Sequence, residues 1–399
     1  MPSIVIVTSY YYPESGAAAK RLTSLAEYLV EKNHNVTVIT LLPNYPHNKI
    51  FPGYDAKTHS FSVERGVKII RVKPFLVPKD NYVLRILSEI IFCVKALPKI
   101  IKLRPDIIIA SSPFIFLGPT GYLASKILKK PFIWDVRDLT WLSPRAIGKK
   151  TFGFDLVLDL IMKSVAKQAS ALISPCEGIL MHFPQKASLS KVIPNGVSEE
   201  LIKNFRNFNS EKRIITKRPK VVYAGLFGYL QDFDIIIKTA ELMPDVDFVL
   251  VGDGPEKERI SRQSERITNI KLLPFLPFDK LLEIYEEADI LIATLKKSPL
   301  NKIAQPSKVW EYLLTGKPVI FCGEGDMAQL LAENNIAWVV APGDVASLKE
   351  TINSIISDYE LAKAKAMKGK EFVIHKRRRK TIYEELENLI MTIVKNGGN

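Results

Sequence analysis

An α/β chain of two doubly wound domains in series is dictated by two features of this 399-residue sequence. Short apolar runs rich in Val and Ile alternate with segments whose apolar residues recur at helical spacing. The alternation pauses in a polar, basic stretch at residues 204–220 and then begins again. Runs that are apolar throughout read as strands of parallel sheets with helices on both faces. The length suits two or three domains, each able to bury a core.

In order, SIVIVT (residues 3–8) is a buried strand, and residues 17–31 form a helix with Leu22, Leu25, Ala26 and Leu29 on one face. NVTVITLLP and VKIIRV supply two more strands. Residues 82–103 read as an amphipathic helix, DIIIASSP as a strand, residues 116–129 as a helix and PFIWDVRD as a strand. ASALISP and LSKVIP complete the first half. In the second half VVYAG, DFVLVGDG, NIKLLPF, DILIATL, KPVIFCG and IAWVVAP are strands. IIIKTAEL, KLLEIYEEA, KVWEYLLT and MAQLLAEN are the helices between them, and residues 348–399 are mostly helical and charged. The expected divisions are residues 1–203, residues 204–373 and a terminal helical segment, residues 374–399.

Lys and Arg total 56 against 42 Asp and Glu, a net charge of +14 that suits nucleotides, nucleic acids or anionic membranes. The basic residues are dispersed and no nucleic-acid-binding module is recognisable, so no specific nucleic-acid partner is expected. Three cysteines, Cys93, Cys176 and Cys322, lie far apart, without metal spacing. They fit a reducing compartment. No basic leader opens the chain and no run approaches ~20 apolar residues. A cytoplasmic protein is expected, with peripheral attachment to the inner face of the cell membrane left open. No HExxH, CxxC, GxSxG or GK[ST] motif occurs, and no metal or cofactor is expected.

Open α/β sheets bind ligands outside the carboxyl ends of their strands. YYYPESGAAAKR follows the first strand. Gly16 and three alanines there permit close backbone approach, and the helix start can receive an anion. A tight strand–helix turn, with Lys20 and Arg21 as solvated charges, explains the same residues. In WDVRDLTW, Arg137 and Asp138 fall where a strand runs out. Arg137 can hold a phosphate and Asp138 a sugar hydroxyl, or the two form a structural pair. Gly225 and Gly228 bracket a loop that can present amides to phosphate. In QPSKVWEYLLTGKPVI, Ser307 can cap a helix. Lys308 and Glu311 share one face, about 5 Å apart along the axis. They form either a surface ion pair or a phosphate cation followed by a ribose acceptor.

In this order, these motifs resemble the large retaining family of two-domain glycosyltransferases, family 4 of the GT-B type. Within it they resemble the bacterial O-antigen, capsule and colanic-acid branch, which includes fucosamine and other amino-sugar transferases. The resemblance implies two facing Rossmann-like domains. It places Gly16 near the donor diphosphate and sugar, Gly225 and Gly228 at the phosphates, and Glu311 at the ribose as the second glutamate of a Glu-x7-Glu motif. Arg137 and Asp138 stand where many relatives have a His-Asp pair. Two departures stand out. The first motif glutamate falls at Ile303, and the positions of an expected Arg and Lys appear as Leu226 and Gln231. Lys308 is the expected diphosphate cation, aided by Arg137 or Lys20.

The implied reaction transfers a sugar, an N-acetylated hexosamine or deoxy amino sugar, from a UDP-sugar to a lipid-linked saccharide, with retention and without a metal. A polyprenyl-diphosphate-linked acceptor and an anionic membrane surface are the implied partners. Residues 82–102 are apolar on one face and basic on another, and HKRRRK (residues 375–380) is a second basic block. Either suits a membrane or an ordinary packed or solvated helix. A nonhydrolysing nucleotide-sugar epimerase or a noncatalytic nucleotide-sugar-binding protein would share the architecture.

Overall fold

The computed structural model describes all residues except 15, 46–47, 78–80, 147–150, 186, 188, 207, 209–217 and 397–399. Most of the expected 204–220 linker therefore lies outside the described residues. The chain divides into two units, Met1–Pro194 with Ile382–Asn399, and Asn195–Thr381. Sequence reading had drawn the lines after residues 203 and 373. Backbone bonding accounts for the difference: Val197 N–H donates to the Arg377 carbonyl at 2.7 Å, and Arg379 N–H to the Val197 carbonyl at 3.0 Å. Those bonds tie residues 195–204 to the end of the second unit.

In the first unit the strands are β1 Ser3–Val7, β2 Asn35–Leu41, β3 Phe61–Glu64, β4 Val67–Val72, β5 Ile107–Ser111, β6 Phe132–Asp135, β7 Ala171–Ser174 and β8 Leu189–Val192. They form one sheet in the order β3-β4-β2-β1-β5-β6-β7-β8. All pairings are parallel except β3 with β4. The sequence reading missed β3, because its residues alternate between exposed and half-buried and give no continuous apolar signal. By contrast β5 is buried at every residue, as a central parallel strand must be. The chain's end completes this unit: Ile382, Tyr383, Leu386, Ile390 and Ile393 join Leu22, Leu25 and Leu29 in one core.

In the second unit the strands are β9 Lys220–Ala224, β10 Asp247–Val251, β11 Ile270–Leu273, β12 Ile290–Thr294, β13 Val319–Cys322 and β14 Trp338–Val340. Their order, β11-β10-β9-β12-β13-β14, reverses direction between β9 and β12. The first unit reverses in the same way between β1 and β5. Each reversal opens a crevice at the carboxyl ends of its strands, where doubly wound sheets take ligands.

A helix at Phe154–Gln168 was absent from the sequence reading. Its buried face carries two acids beside Leu158, Met162, Val165 and Ala166, and four aliphatic residues lie outside. Asp155 and Asp159 are buried, while Leu156, Val157, Leu160 and Ile161 are exposed. Asp159 Oδ1 accepts from Trp141 Nε1 at 2.9 Å and lies 2.6 Å from His182 Nε2, and Asp155 Oδ2 pairs with Arg145 at 2.7 Å. These partners let the carboxylates occupy the interior.

The basic block HKRRRK is not a free patch. Arg377 stacks on Trp310, 4.7 Å from the ring centroid, Arg378 pairs with Glu199, and Arg379 Nε donates to the Gly196 carbonyl.

Candidate functional site

In the second unit, the turn after β9 brings Gly225 against the helix Lys308–Leu314. Gly225 has φ +141°, and a Cβ there would lie 2.6 Å from Lys308 Nζ. That φ favours glycine, and the missing side chain lets the ammonium lie close. The Gly225 N–H is already donated to the Val251 carbonyl at 2.9 Å. Gly225 therefore supplies close approach, not the free amide expected of it. Gly252 locks the turn from below: a Cβ on it would meet the Gly225 carbonyl oxygen at 1.9 Å. Gly228 is buried, and a Cβ there would meet Gln231 Oε1 at 2.5 Å and Leu226 Cδ2 at 3.2 Å, both side-chain ends.

Lys308 points inward. Its Nζ donates to the Tyr223 hydroxyl at 2.5 Å and sits 3.9 Å over the Tyr223 ring centroid. Tyr223 is the fourth residue of β9, so the ammonium lies at the carboxyl end of the strand beside the crevice. Desolvation pushes Lys308 down to about 7, with Glu311 pulling weakly the other way. This is a desolvated cation in contact with a tyrosine, not the surface pair that spacing alone allows. Ser307 is exposed, already helical in backbone (φ −60°, ψ −28°), and makes no capping bond with its side chain, contrary to expectation. Glu311 is half-buried one turn along.

In the first unit, Gly16 is the N-cap of the helix Ala17–Glu31, with no side-chain cap and no acid in the first turn. The loop before it is anchored by Glu14, whose buried carboxylate accepts backbone N–H bonds from Tyr11, Asn44 and Tyr45 at 3.2, 2.8 and 2.8 Å. Burial raises the Glu14 carboxyl, and those amides oppose the shift. Lys20 is exposed. Arg21, expected as a solvated charge, is buried instead. Its Nη2 donates to Asp135 Oδ2 at 2.6 Å and to Ser111 Oγ at 2.9 Å.

Asp135, the last residue of β6, is the hub that sequence reading passed over. It is 1% exposed and accepts from Arg21, from Ser111 Oγ at 2.7 Å and from Arg137 Nη1 at 3.3 Å. Burial opposes its ionisation, but the two guanidiniums and the Ser111 hydroxyl prevail and hold its carboxyl below the ordinary value. Arg137 also donates to the Ile193 carbonyl at 2.8 Å. Desolvation and then repulsion from Arg21 bring Arg137 to about 10. Asp138 is exposed, yet the surrounding protein desolvates its carboxyl enough to raise it, against the pull of Arg137 and Arg21. The structural partner of Arg137 is thus Asp135, and Asp138 presents its carboxylate outward. An Asp two residues before an Arg, at the end of an apolar strand, was the available signal.

Among the described residues, no group of three or more His, Cys, Asp or Glu is placed to hold a metal ion.

Two Rossmann-like units in series, each matching a glycosyltransferase family model, make this chain a glycosyltransferase of the GT-B fold. Residues 16–196 match the Glycosyl transferase 4-like domain, and residues 204–372 match Glycosyl transferases group 1. The chain is 23% identical over 381 residues to the putative colanic acid biosynthesis glycosyl transferase WcaI of Escherichia coli K12, covering 86% of this chain and 90% of that protein. Among solved structures, sucrose-phosphate synthase of Thermosynechococcus elongatus superposes with a TM-score of 0.77 at 14% identity, over 99% of this chain and 100% of that one. The Anabaena protein Alr3699/HepE in complex with UDP superposes with a TM-score of 0.71 at 18% identity, over 98% and 100%.

Proposed function

We propose that the chain transfers an N-acetylated hexosamine or deoxy amino sugar from a UDP-sugar to a polyprenyl-diphosphate-linked saccharide in polysaccharide biosynthesis, with retention of configuration. The observation that carries this reading is the Lys308 ammonium, desolvated and lodged against Gly225 at the crevice of the second unit. A half-buried cation whose hydrogen bond goes to a tyrosine hydroxyl suits a ligand's diphosphate. Glu311, one turn on, accepts the ribose hydroxyls. The uncapped helix start at Gly16 favours negative charge on the donor. A Cβ at Gly16 would meet only the Tyr45 ring, at an ordinary 3.4 Å, so the chain itself does not demand glycine, whereas a closely approaching ligand does.

In the reaction the sugar C1–O bond to the diphosphate breaks and a C1–O bond to the acceptor hydroxyl forms on the same face. The acceptor proton passes to the departing phosphate oxygen. Lys308 offsets the charge that develops there. Asp138 accepts a hydrogen bond from a hydroxyl of the transferred sugar, and Arg137 acts behind it. The similarity to WcaI, a putative colanic acid transferase, and the UDP in the Alr3699/HepE structure support the pathway and the base.

The test is a thermal-shift titration with UDP, GDP, ADP and CMP in metal-free buffer. UDP is expected to stabilise the protein by about 2.7 kcal/mol at a hundredfold excess over Kd. A shift with GDP alone, or with none of the four, overturns the UDP assignment. Glu311→Gln is expected to weaken UDP binding by about tenfold, as one charge-assisted hydrogen bond is reduced. Isothermal titration of the two proteins checks this.

A further inference from the structure

The first unit holds a cavity of about 310 Å³ at the flank of its sheet. The helix Ala17–Glu31 forms one wall with Thr23 and Glu27, one turn apart. The edge of the sheet forms the other, where Glu64 ends β3 and Arg65 begins the turn into β4. Arg65 Nη1 donates to Glu27 Oε1 at 2.8 Å and joins the two walls. The helix runs back from the carboxyl end of β1 toward the amino end of β2. Glu27 therefore lies about 16 Å along the axis from Gly16 and from the crevice.

Three tyrosines line the space between. Tyr12 is exposed, Tyr54 is half-buried and Tyr11 is only 3% exposed. The Tyr11 hydroxyl has no hydrogen-bond partner among the described residues. Burial pushes this phenol up, the Glu27 and Glu64 carboxylates add to the shift, and Arg71 and Arg65 oppose it. The hydroxyl thus stands among these four groups with its proton in place. Glu64 Oε2 and Arg71 Nε beside it are also buried without a partner. Glu27 gives one oxygen to Arg65, and its other has no partner among the described residues. Buried polar groups are almost always bonded, so this concentration of unused ones points to a ligand.

The charges of the cavity cancel. Arg65 pairs with Glu27, and Arg71 Nη2 pairs with Glu64 Oε1 at 2.9 Å. Each guanidinium also stands over a ring, Arg65 at 5.6 Å from the Tyr12 centroid and Arg71 at 5.4 Å from that of Tyr54. A ligand cation would find those ring faces taken, and a ligand anion would meet two carboxylates. What suits the cavity is an uncharged molecule with several hydroxyls. They can donate to the carboxylates and accept from Tyr11, while C–H groups lie against the tyrosine rings.

We propose that this cavity is a noncatalytic binding site for one ring of an uncharged sugar, separate from the crevice where transfer takes place. The Tyr11 hydroxyl donates to one ring oxygen or hydroxyl, and Glu27 accepts from another hydroxyl. A pyranose suits the volume, which is near the lower end of the ~300–1,000 Å³ of small-molecule sites. The proposal rests on this cavity alone and is independent of the donor assignment.

Saturation-transfer NMR on the full chain tests it, with glucose, galactose, fucose and N-acetylglucosamine as probes. Transfer to at least one of the four is expected, and it should persist in excess UDP and in Lys308→Ala. Tyr11→Phe removes only the hydroxyl, and Glu27→Gln removes only the charge of a pair whose arginine is exposed. Both are expected to melt near the parent and each to weaken the sugar about tenfold. Should Tyr11→Phe fail to fold, Glu27→Gln decides. Absence of transfer to all four sugars overturns the proposal. So does transfer undiminished in the folded variants, which would give the sugar to the crevice.

Discussion

Replacing Lys308 by alanine is expected to lower kcat/KM by about two to three orders of magnitude, the usual loss when one donor to developing negative charge is removed. The melting temperature should stay near the parent's. The ammonium gains little from its surroundings in the free protein, where it has a tyrosine hydroxyl and ring for partners and its pKa has fallen to about 7. Groups held ready for a ligand commonly cost stability. The pH dependence has a definite sign. Below about 7 the free protein's Lys308 is charged, and as pH rises through that value the charge is lost. A bound diphosphate favours the charged form, so above about pH 7 donor binding takes up a proton and weakens with rising pH. The unfolded lysine holds its proton more tightly, so this group makes folding stability rise with pH from about 7 toward the ordinary lysine value. Calorimetric titration with UDP in buffers of different ionisation enthalpy reads the uptake directly. Unchanged donor affinity and turnover in Lys308→Ala would remove Lys308 from the donor site.

Asp135→Asn is expected to destabilise the first unit by about 3–5 kcal/mol, the cost of leaving buried charge without its partner. Two guanidiniums, those of Arg21 and Arg137, converge on this one carboxylate, and neither side chain is more than 9% exposed. Asparagine keeps the shape but cannot neutralise either. Urea unfolding followed by tryptophan fluorescence would report the loss, since Trp134 and Trp141 both lie near Asp135 in sequence. Ordinary stability in Asp135→Asn would mean that the arginines find other partners. The native carboxyl is held below its ordinary value, so its contribution is present above the unfolded carboxyl's pKa and is lost as pH falls through the native one. Because Asp135 also sets the direction of Arg137, the variant should alter kcat more than KM. On the proposed function it is a positioning residue.

The alternation of strands and helices was legible because burial on both sheet faces writes itself into continuous apolar runs. The helix Phe154–Gln168 was not, since it has apolar residues on both its buried and its exposed sides and two acids among the buried ones, which blurs the helical period. Pairings across the fold left no local trace either. Lys308 meets Tyr223 85 positions away, and Arg21 meets Asp135 114 positions away. Spacing could offer Lys308 only the nearby Glu311, and left Arg137 a choice between Asp135 and Asp138. Glu14 drew no attention, because its three partners are backbone amides that any sequence possesses.

The return of residues 382–399 to the first unit imposes an order on biosynthesis. The second unit, ending at Thr381, has all its residues once it leaves the ribosome, whereas the first still lacks the helix that carries Tyr383, Leu386 and Ile390 into its core. The half made first is thus finished last. Protease protection of stalled nascent chains should appear in the second unit before the first, and a chain stopped just short of residue 382 would leave Leu22 and Leu25 without their cover.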